Sequence, residues 1–107
     1  MKKTTINIGK DFSETPLGRF PEDGPFSGQH FRDSLLVPAL LGNEQVIVQI
    51  DDVEGYGSSF LEEAFGGLVR KKHFSSTELL RKLIIETTSP GYGLYKDVIW
   101  KYIKEAR

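Results

Sequence analysis

Residues 45–52 read QVIVQIDD, with Val46, Ile47, Val48 and Ile50 in a nearly unbroken apolar run. An apolar run on both faces predicts a central strand with both sides covered, because a strand with one wet face would alternate. Apolar residues at helical spacing stand on either side of the run. Phe31, Leu35 and Ala39 recur four apart before it, and Leu61, Ala64, Phe65 and Leu68 share one helical face after it. Strands that alternate with helices define a layered α/β sheet with crossover connections.

The rest of the chain fits that frame. Residues 4–8 alternate, with Ile6 and Ile8 on one face, and predict a short strand. Residues 9–26 form a long loop, with a brief strand expected at 17–20 and with Gly18, Pro21, Gly24 and Pro25 as punctuation. A loop of this length in a small domain is functional or mobile. Ser27 is placed to cap the first helix. Pro38 inside that helix would cost about 3 kcal/mol in a regular interior, so a kink near Val37 or a second turn beginning at Pro38 is expected. Gly42-Asn43 stops the helix. The second helix is expected from Ser59, with Ser59 and Glu62 at capping-box spacing and Lys71 and Lys72 at its end. Gly66-Gly67 within it points to a close backbone approach, either to the sheet or to a partner. Residues 79–86 read as a strand, although 77–83 also fit a helix. Residues 88–91 are a turn, and Tyr95, Val98, Ile99, Tyr102 and Ala106 line one face of a last helix. The 107 residues are expected to make one domain, 1–107.

Composition removes several classes of function. Net charge is −1, against the basic surface that duplex nucleic acid requires. No cysteine is present, so thiol catalysis, disulfides and thiolate metal sites are excluded, and a reducing cytoplasm is the expected location. The opening MKKTTINIGK lacks the apolar core of a signal peptide, and no apolar run approaches the roughly 20 residues that span a bilayer.

The chemistry concentrates where the apolar run ends. Asp51, Asp52, Glu54, Ser58 and Ser59 lie at the carboxyl end of the central strand, where open α/β sheets bind ligands. The start of the following helix favours negative charge. A phosphoacceptor serine, a phosphate-ligand site, a metal on the acids, and a plain turn with a helix cap all fit this pattern. If Ser59 is the cap, Ser58 is the freer hydroxyl. The three acids oppose a static anion, whereas a covalent phosphate of about −1.5 to −2 would act strongly beside them. Asp51 and Asp52 are adjacent on a strand and point to opposite faces, so a shared ion is not expected. A small hydrolase on Ser58 would need a base, and only His30 and His73 are available; the Gly-x-Ser-x-Gly elbow is absent. The loop at 89–93 could join the helix start in holding a nucleotide or phosphate ligand. Trp100, flanked by Lys96 and Lys104 off the apolar stripe of the last helix, is a candidate second contact surface.

Two stretches carry a family resemblance: DDVEGYGSSFLEEAFGGLVR, and GRFPEDGPFSGQHFRDSLLVPAL at 18–40. Both resemble the STAS-like family of unknown function, DUF4325, over roughly residues 4–103. The resemblance implies an α/β fold like the STAS domains of bacterial anti-sigma factor antagonists: a small mixed sheet of about four strands with three helices packed on it. It also implies a non-enzymatic regulatory module in signalling, without a cofactor, whose protein partner is a GHKL-type ATPase or kinase. The antagonists' Asp-Ser-Ser-Gly motif falls on Gly57, Ser58, Ser59 and Phe60. Ser58 takes the phosphoacceptor place, Gly57 replaces the aspartate and Phe60 replaces the glycine.

Overall fold

In a computed structural model, described over residues 2–72 and 74–107, the central apolar run becomes strand β2 (Gln45–Gln49), with β1 (Lys3–Asn7) on one side and β3 (Leu83–Glu86) on the other. Both pairings are parallel, and Ile6, Val48 and Ile85 stand side by side across the sheet. The expected central position of the 46–50 run is thus observed. The sheet is parallel rather than mixed, with three strands among the described residues rather than about four. No strand forms at 17–20. Leu17 N–H donates to Phe26 O at 3.0 Å, and Gly28 and Gln29 N–H donate to Gly18 and Arg19 O at 2.9 Å, closing the loop on itself and on the following helix.

The helices number more than the three expected. Helix α1 covers residues 28–42, α2 covers 58–70, α3 is Ser76–Lys82 and α4 is Gly93–Glu105; a π turn, Ile8–Phe12, follows β1. Neighbouring parallel strands joined in sequence order by crossovers of one hand place their helices on one face of the sheet. Ile6, Val46, Val48, Leu83 and Ile85 face that layer and are buried. On the other face Ile47 is half-buried and Ile84 is exposed. The central strand is therefore covered on one side rather than both.

Helix α1 contains a π turn at Arg32–Leu36, in which Val37 N–H bonds Arg32 O five residues back. The widened turn lies immediately before Pro38, which cannot donate and would crowd a regular turn. The expected irregularity near Val37 takes this form. A π turn adds one residue to the helical repeat, so the buried stripe runs Phe31, Leu36, Leu40 rather than Phe31, Leu35, Ala39. Ser27 caps this helix, its hydroxyl accepting from His30 N–H at 3.2 Å. A second π turn, Glu62–Gly66, interrupts α2. Residues 76–82 are helical because Ser75 caps them, accepting from Glu78 N–H at 3.0 Å; only 83–86 of the expected 79–86 strand is strand.

The core lies between the sheet and α1, α2 and α4. Phe31, Phe60 and Phe65 are fully buried in it, and Phe12 packs on Phe31 with ring centroids 5.3 Å apart. On α4, Ile99 and Ile103 are buried while Tyr95, Val98 and Tyr102 are partly buried. No described helix is long and apolar enough to cross a membrane.

Candidate functional site

Three chain segments leave the carboxyl edge of the sheet side by side, and the loop at 50–57 is the middle one. It is anchored chiefly by Asp51. That carboxylate accepts from Thr88 N–H at 2.8 Å, Thr88 Oγ1 at 2.9 Å, Ser89 N–H at 3.3 Å and the Thr87 hydroxyl. Burial opposes its charge, but the hydrogen bonds from Thr87, Thr88 and Ser89 outweigh burial and bring the Asp51 carboxyl down to about 2. Asp52 turns the other way. It accepts from Asn7 Nδ2 at 2.7 Å and faces Lys10 Nζ at 3.9 Å. The two aspartates point apart, but from a turn rather than from the strand, which ends at Gln49 instead of reaching Asp52.

Two tyrosines brace the loop from inside. Tyr56 donates its hydroxyl to Ile50 O at 3.0 Å, and Tyr92 donates to Val53 O at 2.6 Å. Tyr95 packs edge-on against both rings at 5.0 and 5.1 Å. Burial first, then the nearby Tyr92 and Asp51 oxygens, holds the Tyr56 hydroxyl well above the ordinary tyrosine range. The doubled Gly-Tyr-Gly at 55–57 and 91–93 is thus more than turn chemistry: each tyrosine fixes one point of the same loop. Asp51 and Tyr92 together fasten the 50–57 loop to the 87–93 segment.

Helix α2 starts from this braced loop. Its N-cap is Gly57, in extended conformation, and no side chain caps the helix. Ser59 therefore is not the cap, and the capping box does not form. Glu62 is instead engaged by Arg70 Nη1 at 2.7 Å and Arg19 Nη1 at 2.5 Å, and these bonds lower its carboxyl below the usual range despite partial burial. Ser58 and Ser59 occupy the first two helical positions and both are exposed, as are Gly57, Asp52 and Glu54. Phe60 is fully buried among Phe12, Phe31 and Tyr56, so its side chain holds the helix to the core.

The glycine pair and its surroundings lock α2 against α1. Gly67 lies on the guanidinium of Arg32, and Gly28 of α1 lies where a side chain would meet Phe60 O at 2.7 Å and Ala64 N at 3.0 Å. The close approach expected at Gly66-Gly67 is made inside the domain but not to the sheet: Gly67 meets the Arg32 side chain of α1, and Gly66 meets Glu62 of its own helix and Tyr102 O of α4. His30 is not beside the serines' hydroxyls in any hydrogen bond; its Nδ1 lies 2.7 Å from Pro25 O and its ring stands edge-on to Phe12. His73 lies outside the described residues. Trp100 is half-buried and lines an open groove of about 530 Å³ with exposed Leu80, Lys101 and Lys104.

Sequence reasoning missed Tyr56, Tyr92, Thr87 and Asn7 as the supports of the site. The repeated Gly-Tyr-Gly was the one available signal. Asn7, Gln49 and Glu86 share a row of the sheet, and Gln49 bridges the other two, at 3.3 Å to Asn7 Nδ2 and 2.8 Å to Glu86 Oε1; this row depends on register and had no local mark.

Fold and site together define a small parallel α/β domain that displays two free hydroxyls at a helix start, on a loop fixed from three sides. The family described as a STAS-like domain of unknown function, DUF4325, matches residues 27–92, more than half of the chain, and the chain belongs to that family. The match runs from the cap of α1 to Tyr92, so it includes the whole 50–61 site. No curated protein and no solved structure matches the chain.

Proposed function

We propose that this chain is a non-enzymatic regulatory interaction module that docks a GHKL-type ATPase or kinase through the start of α2. One observation carries the reading: Ser58 and Ser59 are both exposed at the first two helical positions, with no side-chain hydrogen bond among the described residues, while the loop beneath them is held by Asp51, Tyr56 and Tyr92. A pre-ordered surface loses little entropy on association. The resemblance to anti-sigma factor antagonists supplies the partner class, and it puts Ser58 in the phosphoacceptor place. Transfer of the ATP γ-phosphoryl group to Ser58 Oγ, with ADP leaving and the hydroxyl proton lost to solvent, would add about 1.5–2 negative charges beside exposed Asp52 and Glu54. Such a charge would release the partner. Catalysis by Ser58 itself would need a base, and the described histidine, His30, is occupied at Pro25 O.

Calorimetric titration of a GHKL-class ATPase from the same cell tests this reading. The wild type should bind, and Ser58→Asp should bind at least about tenfold more weakly with an unchanged melting temperature. Equal affinities for the two proteins would remove the serines from the interface. Mass spectrometry after incubation with ATP and the same partner tests Ser58 as acceptor.

A further inference from the structure

The two serines and their immediate loop are too small to be a whole interface. A stable protein contact buries about 800 Å² on each partner, against 5726 Å² exposed by this chain in all. The surface must continue onto a neighbouring segment, and the long loop adjoins it. Glu54 N–H donates to Glu14 O at 3.0 Å, so the loop starts against the acid segment of the site. Ser59 then shares an open cavity of about 570 Å³ with Leu17, Arg19 and Phe20.

Within this loop Leu17 is 65% exposed and Phe26 39% exposed. Neither sits on a loose segment. The Leu17 and Phe26 backbones are bonded to each other, Asp23 accepts from the Arg19 and Phe20 N–H groups at 3.0 Å, and Arg19 is tied to Glu62 of α2. Leu17 is held fixed in water beside the helix start, and Phe20 shares its cavity with Ser59, so the two side chains give the cavity an apolar centre. The rim is acidic: Glu14, Glu22, Asp23, Asp52 and Glu54 are exposed. Of the cations beside the loop, Arg19 is paired with Glu62 and Lys10 with Asp52 at 3.9 Å, while Lys71 lies over the Phe20 ring at 5.8 Å and keeps its charge; Glu14, Glu22, Asp23 and Glu54 leave the rim net acidic.

We infer that the 13–26 loop is the second half of the docking surface, and that it takes a protein face with an apolar centre surrounded by lysine and arginine. The acidic rim repels nucleic-acid phosphates and anionic lipid headgroups alike, so a protein is the occupant. The inference rests on the reading of the α2 start as a docking element, and it adds the chemistry of the matching face.

The test uses the full chain and the same purified GHKL-class ATPase as probe, with association followed at low and high salt. Leu17→Ser should weaken binding about tenfold. Glu22→Lys combined with Glu54→Lys should slow association about tenfold at low salt and flatten its salt dependence. Leu41→Ser, at a residue 73% exposed on α1, should change nothing. Melting temperatures confirm that each variant is folded. If Ser58→Asp weakens binding while Leu17→Ser and the charge reversal do not, the loop inference is overturned and the α2 reading stands. If the loop variants weaken binding and Ser58→Asp does not, the α2 reading fails and the loop is overturned as the second half of that surface, a contact on the loop alone taking its place. If the wild-type chain does not bind the ATPase, both are overturned.

Discussion

Arg32 and Glu63 form an ion pair at 2.6 Å between the π turn of α1 and the π turn of α2, with both side chains all but fully buried. Arg32 also donates to Glu63 O at 2.8 Å and to Asp33 at 3.0 Å, so the guanidinium is pinned at several points. Removing one partner of a buried pair costs about 3–5 kcal/mol when the other charge is left alone. Here Glu63 keeps Arg70 at 3.4 Å and Arg19 at 3.6 Å, and Arg32 keeps Asp33 at 3.0 Å, so Arg32→Ala and Glu63→Ala are each expected to lose stability in urea unfolding by less than that full amount. Replacing both with Met and Leu should lose much less, because no lone charge remains.

The same pair explains the glycines around it. A side chain at Gly67 would displace a guanidinium that cannot move without giving up Glu63, and one at Gly28 would strike the backbone of α2. Gly67→Ala and Gly28→Ala are expected to cost about 1–3 kcal/mol each by overpacking. Gly57→Ala meets nothing within 4 Å and keeps an ordinary φ of −78°. It should be near neutral, because a gain of up to about 1 kcal/mol from a less flexible unfolded chain is offset by the poor fit of alanine at an N-cap. Denaturant midpoints of the three variants check the order.

Capping separates the serines into two groups. Ser27 and Ser75 accept backbone N–H groups at helix starts, whereas Ser58 and Ser59 accept none. Ser27→Ala and Ser75→Ala should each lose about 0.5–2 kcal/mol. Ser58→Ala and Ser59→Ala should both leave thermal stability nearly unchanged, which frees them for binding studies.

Acid stability follows from Asp51. Its carboxyl lies near 2 in the folded protein against about 3.9 unfolded. A depressed folded value gives stability that is fully present above about pH 4 and is lost as pH falls through about 2. Glu62 is lowered as well and acts in the same direction. The wild type should therefore lose stability steeply below about pH 4. Asp51→Asn should be less stable at neutral pH, and its stability should depend less on pH in that window. Parallel slopes for the two proteins would contradict the role given to Asp51.

Much of this architecture could be read in the chain before any coordinates, and the failures share a cause. The apolar run at 46–50 marked the middle of the sheet because burial writes itself directly into side-chain type. Face assignment on α1 failed by one residue after Phe31, since a π turn changes the period without changing the composition. Leu79 and Leu83 fit either period, so pattern alone leaves 79–82 open to strand or helix, and the cap on Ser75 decides for the helix. Ser59 matched a capping box in spacing, yet Glu62 was claimed by Arg19 and Arg70, one of them 43 residues distant in the chain. The position of the site was legible. Its bracing by Thr87, Tyr92 and Asn7 was not, because those contacts exist only once the sheet brings the three strand ends together.

A protein partner seated on the start of α2 should leave a footprint in amide hydrogen exchange of this chain, measured free and with the GHKL-class ATPase bound. New protection should be confined to residues 51–61 and 13–26, with the amides of α4 unchanged. Protection centred on α4 around Trp100, with residues 51–61 exchanging as in the free protein, would contradict that placement.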